Sequence, residues 1–182
     1  MNRRDLLRAV GGAAAASLLA PLTPEERLRL GTVLHARRRP GRYQTLDARQ
    51  ASLVAELAET IIPATDTPGA KDVGITEFVD LLLTEWYTAE ERDAFLRGLA
   101  AIDAAARAEG APFADLGADA RARVLTPLDG AQGPLDGAAG AFARMKSLTV
   151  YGYFTSREVQ TQVLETVIIP GRYDGCATME RG

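Results

Sequence analysis

From residue 47 onward, apolar residues recur every three or four positions, which is the period of an amphipathic helix. The first such stripe contains Leu53, Val54 and Leu57, and no stretch alternates convincingly with period two. The pattern predicts helices over about 47–62, 75–86, 88–110, 118–125, 141–153 and 156–165. We therefore predict an all-α fold, a small irregular bundle of about five to six helices with an extended N-terminal arm.

Three of these helices begin with a capping-box pattern, in which a Ser, Thr or Asp precedes a Glu or Gln by three residues. The pairs are Asp47 with Gln50, Thr88 with Glu91, and Thr155 with Glu158. Residues 24–45 are rich in Arg, Gly and Pro and show little periodicity, which predicts a linker or a mobile arm.

The first 22 residues have the layout of a bacterial export signal, with a basic start, an apolar stretch from Ala9 to Leu22, and a proline break. The pair Arg3-Arg4, followed by Asp5-Leu6-Leu7-Arg8, resembles the twin-arginine motif. Fourteen helical residues would span about 21 Å, less than the roughly 30 Å of a bilayer core, which disfavours a transmembrane helix. We predict three segments, 1–22 as the signal, 23–46 as a basic linker or arm, and 47–182 as the helical domain.

Charge is divided unevenly along the chain. Residues 1–42 contain nine arginines and three carboxylates, a net of +6, so a formal total of −3 leaves the remainder at −9. An acidic body without a basic stripe repels phosphate backbones, which argues against nucleic-acid binding. The run Arg37-Arg38-Arg39 is the exception, and we predict that it is a solvated part of the linker.

The chain has one cysteine, Cys176, and one histidine, His35. Cys/His metal sites, haem attachment and iron–sulfur ligation all require more ligands than these. The glycines of 129–140 fit no phosphate-binding spacing, and His35 falls in the predicted arm, away from any framework that could orient it. We predict no catalytic, cofactor-binding or metal-binding residue in this chain.

Two regions are candidates for contact with a partner protein. An odd cysteine in an exported chain indicates an intermolecular disulfide or a free thiol, although Cys176 also fits a buried, inert thiol. The aromatic residues Tyr151, Tyr153 and Phe154, at the end of a predicted helix, fit either the core or an interface anchor. Tyr173, close to Cys176, is a further interface candidate.

Three segments together resemble the gluconate 2-dehydrogenase subunit 3 family. They are the leader, the block Glu59-Thr60-Ile61-Ile62-Pro63-Ala64-Thr65-Asp66-Thr67-Pro68-Gly69-Ala70, and the C-terminal stretch from Lys146 to Ser156 followed by Pro170-Gly171-Arg172-Tyr173-Asp174-Gly175-Cys176.

This resemblance implies an accessory subunit of a flavin-dependent sugar or polyol dehydrogenase. The expected partners are a catalytic subunit of the glucose–methanol–choline (GMC) type that holds FAD, a cytochrome c electron-transfer subunit, and the twin-arginine translocase. The expected location is the periplasm or the periplasmic face of the inner membrane. Two alternatives stay open: an exported helical adaptor unrelated to dehydrogenases, and a subunit that lends residues to the dehydrogenase active site.

Overall fold

The computed structural model describes residues 23–164, and within that range all regular structure is helical. Seven α-helices follow one another along the chain, with short 3₁₀ turns at Phe113–Asp115 and Thr126–Leu128. The helices are α1 (Pro24–Ala36), α2 (Ala48–Ile61), α3 (Ile75–Glu85), α4 (Ala89–Ala108), α5 (Ala118–Leu125), α6 (Ala138–Thr155) and α7 (Arg157–Gln162). The predicted all-α fold is confirmed, and the six helices predicted from residue 47 onward are α2 to α7.

The central element of the bundle is α6, against which α1, α2, α3, α4 and α7 all pack. Its inward face carries Phe142, Met145 and Leu148, all of which are buried. The apolar stripes of α2, α3 and α4 close the core around it, because each places its buried residues three or four positions apart.

The prediction of an unstructured arm over residues 24–45 is wrong for its first half, where α1 forms. Thr23 and Glu26 make a reciprocal capping box, and Pro24 occupies the first turn, where its missing N–H costs nothing. The helix has no clear apolar stripe, but Gly31, Leu34 and His35 are buried. Packing against the bundle therefore stabilises α1, and its own sequence pattern does not reveal it.

The basic run after α1 is also more ordered than the predicted solvated linker. Arg37 pairs with Glu85 at 2.7 Å and lies over the ring of Trp86. The Arg38 guanidinium donates to the backbone carbonyls of Val73 and Gly74, at the start of α3. These two arginines thus bind the end of α1 to both ends of α3.

Two predicted capping boxes are confirmed and the third is displaced by one residue. Asp47 with Gln50 and Thr88 with Glu91 cap α2 and α4 reciprocally. At α7 the cap is Ser156, whose hydroxyl accepts from the Val159 N–H. Thr155 belongs to α6 and donates its hydroxyl back to the Tyr151 carbonyl at 2.8 Å, so it is not available as a cap.

Several predictions concern residues outside 23–164. Arg3, Arg4, Tyr173 and Cys176 lie outside the described residues, as do the whole leader, 1–22, and the block 170–176. Their roles stay predictions, and so does the division of the chain at residues 22 and 46.

Candidate functional site

The three aromatic residues near the end of α6 point in different directions. Tyr153 is buried, and its hydroxyl donates to the Pro68 carbonyl at 2.7 Å. Tyr151 is half-buried, and its hydroxyl donates to the Arg27 carbonyl of α1 at 3.0 Å. Of the three, only Phe154 is exposed, with 46% of the residue's surface accessible. Of the three predicted interface candidates, the core alternative applies to Tyr153, and Phe154 is the residue that a partner can reach.

The Tyr153–Pro68 hydrogen bond also joins the two sequence blocks that carry the family resemblance within the described residues. The loop of the first block is itself held by Glu59, whose carboxylate accepts from the backbone N–H groups of Ala64 and Lys71 at 2.8 and 3.0 Å. Gly69 is required there, because a Cβ at this position would lie 2.5 Å from the Glu59 carboxylate. These residues therefore hold the loop against α6.

Gly152 lets α6 approach α3 closely, since a Cβ there would lie 2.9 Å from side-chain atoms of both Ile75 and Phe78. The Gly152 carbonyl accepts a hydrogen bond of 2.7 Å from Nε2 of His35. A carbonyl can only accept, so the neutral imidazole carries its proton on Nε2. The imidazole also stacks on the Phe78 ring, with 4.8 Å between ring centroids.

His35 thus lies in the core, although the sequence placed it in an arm. Burial and, secondarily, the Arg38 charge lower the pKa of His35 from 6.5 to about 4, against opposing effects of the Gly152 hydrogen bond and of Glu158. Its Nδ1 atom is buried without a hydrogen-bond partner among the described residues. Through its hydrogen bond to Gly152 and its stacking on Phe78, His35 joins α1 to α6 and α3.

Two buried polar residues were missed by the sequence analysis. Asp80 of α3 is 3% exposed, and its carboxylate accepts from the backbone N–H groups of residues 44, 45 and 46 at 2.8–2.9 Å. Arg144 of α6 donates to the Tyr87 hydroxyl at 3.0 Å. A single acidic residue inside the apolar run Phe78–Leu83 was the available signal for Asp80, since a buried carboxylate needs donors. Asp80 therefore joins residues 44–46 to α3, and Arg144 joins α6 to the connection between α3 and α4.

An open groove of about 840 Å³ lies beside the outer face of α6. We call it the α6 groove. One wall is the first turns of α1 at Pro24, Arg27 and Leu28, and the other is the segment 128–132. Val150 and Phe154 lie at the exposed side, 41% and 46% exposed. A mostly apolar, open groove of this kind suits protein contact better than catalysis.

Within residues 23–164, no three His, Cys, Asp or Glu side chains are grouped as a metal site would need. The described helices also include none that is both long and apolar enough to cross a bilayer. A dinucleotide such as FAD is usually bound by a glycine-rich turn between a strand and a helix, and the described part of the chain contains only helices.

Comparison with known proteins identifies the family. The family model described as Gluconate 2-dehydrogenase subunit 3 matches residues 48–171, more than half of the chain. The chain belongs to the gluconate 2-dehydrogenase subunit 3 family. No curated protein and no solved structure matches it. Membership makes this chain a subunit of a dehydrogenase complex and implies a catalytic partner. The matched range begins at α2 and leaves out α1.

Proposed function

We propose that this protein is the non-catalytic small subunit of a periplasmic, FAD-dependent, GMC-type sugar or polyol dehydrogenase. In this proposal it is required for export, folding and stability of the catalytic subunit, and a cytochrome c subunit accepts the electrons. The observation that carries the proposal is the family match over residues 48–171. It is supported by the contacts of the buried polar residues His35, Asp80 and Arg144, each of which hydrogen-bonds to another segment of the bundle.

The proposed mechanism is physical and needs no covalent step on this chain. A partner that binds only the folded catalytic subunit stabilises that fold by mass action, by about 2.7 kcal/mol at a hundredfold excess over Kd. Arg3 and Arg4 would be read by the twin-arginine translocase, which carries folded cargo. One leader would then export both chains together.

Among the three aromatic residues of α6, Phe154 is best placed to contact the catalytic subunit, since it is 46% exposed at the end of the central helix. Tyr173 and Cys176 are the further candidates. In the oxidising periplasm a single cysteine can bridge only to another molecule, so a Cys176 disulfide would join the two subunits covalently.

The test is to isolate an affinity-tagged copy of the chain from its native host and to record the flavin spectrum. We expect a flavoprotein in stoichiometric amount, and flavin that stays with that partner when the subunits are separated. Co-purification without flavin would favour the unrelated adaptor. If substitution of exposed polar residues lowered kcat at unchanged complex yield, the chain would lend residues to the active site.

A further inference from the structure

Helix α1 is held to the bundle by few buried residues. Gly31 lies so close to the Thr155 side chain that a Cβ at Gly31 would be 2.2 Å from the Thr155 Cβ. Leu34 and His35 are also buried, whereas residues 23–26 at the start of the helix are exposed. Because α1 has no clear apolar stripe of its own, these contacts determine whether it stays packed on α3 and α6.

The contact at His35 contains a polar atom that lacks a hydrogen bond. Nε2 donates to the Gly152 carbonyl, but Nδ1 is buried and has no partner in the part of the chain that the structure describes. Oε2 of Glu158 in α7 is likewise buried without a partner there, and the Glu158 charge acts on the imidazole. A buried polar atom without a partner loses the hydrogen bond that water would give it. Separation of α1 restores that hydrogen bond to Nδ1, which lowers the cost of opening at this contact.

The chain directly after α1 has its own attachment to α3. Arg37 pairs with Glu85 near the end of α3, and the Arg38 guanidinium donates to two backbone carbonyls at its start. These bonds are made by side chains beyond the last residue of α1, so they can persist when the helix itself moves. Residues 37–38 therefore form a hinge point between α1 and the bundle.

The other helices keep an apolar core without α1. Side chains of α2, α3, α4 and α6 fill this core and are almost completely buried, among them Leu57, Leu82, Phe95 and Met145. The family match also begins at residue 48, after α1 and the hinge. The bundle that α1 covers is thus closed by the remaining helices.

The charge of His35 controls how stable the packed position of α1 is. Burial and the Arg38 charge disfavour the charged imidazole, against the Gly152 hydrogen bond and Glu158, and they lower the pKa of His35 to about 4. The other packed element, α3, presents the Phe78 ring, which does not titrate. When α1 separates, the imidazole enters water and its pKa returns to 6.5. Proton binding between these two values therefore favours the separated position.

We propose that α1 is a hinged helix that separates from α3 and α6 as a unit when His35 binds a proton, while residues 48–164 stay folded. Separation exposes the Phe78 ring and the Gly152 backbone, and it removes the α1 wall of the α6 groove. A partner that binds this side of α6 then meets a different surface in mild acid. The inference does not depend on which partner that is.

The test is hydrogen–deuterium exchange of the full chain at pH 7.5 and pH 5, read by mass spectrometry and corrected for the intrinsic pH dependence of amide exchange. Peptides from α1 are compared with peptides from α4, whose Phe95 and Ile102 are completely buried. We expect α1 to exchange through its own opening, roughly tenfold or more faster than α4 at pH 7.5. Its opening equilibrium constant should rise about thirtyfold from pH 7.5 to pH 5, given the two pKa values of His35.

The matched control is His35→Gln, which does not titrate and whose amide can donate to the Gly152 carbonyl. In this variant the rise in α1 opening should shrink to about the change seen in α4. Equal protection of α1 and α4 in the wild type would overturn the proposal, because α1 would then open only when the whole bundle unfolds. A wild-type α1 whose opening does not change with pH, or a thirtyfold rise that persists in His35→Gln, would overturn it as well. The comparison of α1 with α4 needs the wild type alone, so it decides even where the variant does not fold.

Discussion

The buried His35 predicts a specific loss of stability in mild acid. Its pKa is about 4 in the folded chain, against 6.5 for the free side chain. The unfolded chain therefore binds more protons than the folded chain between these two values, so the free energy of unfolding rises with pH across this window. The contribution of neutral His35 to the free energy of unfolding is fully present above pH 6.5 and is lost as the pH falls toward 4.

The size of the effect follows from the shift. A lowering of about 2.5 pKa units corresponds to about 3 kcal/mol in total, at 1.36 kcal/mol per unit. At pH 5, about 2 kcal/mol of this has been lost relative to pH 7.5. The charges on either side act in opposite directions, since Arg38 disfavours the imidazolium and Glu158 favours it. The His35 Nε2 hydrogen bond to Gly152 survives protonation, so burial is the main cause.

The assay is urea unfolding of the wild type and of His35→Gln at pH 7.5 and pH 5. Gln does not titrate, and its amide can donate to the Gly152 carbonyl. The carboxylates titrate in both the wild type and the His35→Gln variant, whereas His35 titrates only in the wild type. The difference between the two proteins therefore reports the titration of His35 alone. We expect the wild type to lose about 2 kcal/mol more than the variant, or about 1 M in the urea midpoint for a typical slope of ~2 kcal/mol/M. Parallel losses in the two proteins would refute the reasoning.

Three further predictions concern single positions. Gly31→Ala should loosen α1 and lower the free energy of unfolding by about 1–3 kcal/mol, because the new Cβ would lie 2.2 Å from the Cβ of Thr155. Gly133→Ala, whose Cβ would meet its nearest atom at an ordinary 3.4 Å, should change it by less than about 0.5 kcal/mol, and equal urea midpoints for the two variants would contradict this. Asp80→Asn should lower the free energy of unfolding in urea by about 2–3 kcal/mol, because a neutral amide replaces a carboxylate that accepts three backbone N–H groups. An unchanged urea midpoint would show that the 44–46 segment does not depend on this carboxylate. Cys176→Ser should abolish a reductant-sensitive band at the summed mass of two subunits in non-reducing electrophoresis, and the absence of that band in alkylated wild-type complex would end the disulfide proposal.

The parts of the fold that depend on neighbouring residues were predictable from sequence. The capping boxes at Asp47 and Thr88, and the apolar face of α3, involve residues three or four positions apart, so the pattern contains the whole interaction. The displaced cap at α7 shows the limit of this reasoning, because Thr155 and Ser156 both suit the role and only the point where α6 ends decides between them.

The parts that depend on distant residues were not predictable. Helix α1 is held by Gly31 against Thr155 and by His35 against Gly152, contacts across more than a hundred residues. The burial of Tyr153 likewise depends on where the 62–74 loop lies, because the Tyr153 hydroxyl donates to Pro68, and the α6 sequence does not contain that information. The sequence therefore indicated the aromatic end of α6 as a candidate interface, and the structure showed which of its side chains is exposed.

The central claim is that this chain exports and supports a catalytic partner. It is tested most directly by measuring dehydrogenase activity in separated cytoplasm and periplasm of a host lacking the gene, complemented with wild type or with Arg3→Lys and Arg4→Lys together. Lys lacks the planar multi-donor guanidinium, so the double variant should leave both chains and the activity in the cytoplasm. The matched control is Arg29→Lys with Arg39→Lys, two exposed arginines outside the leader. Normal periplasmic activity in the leader variant would contradict the account.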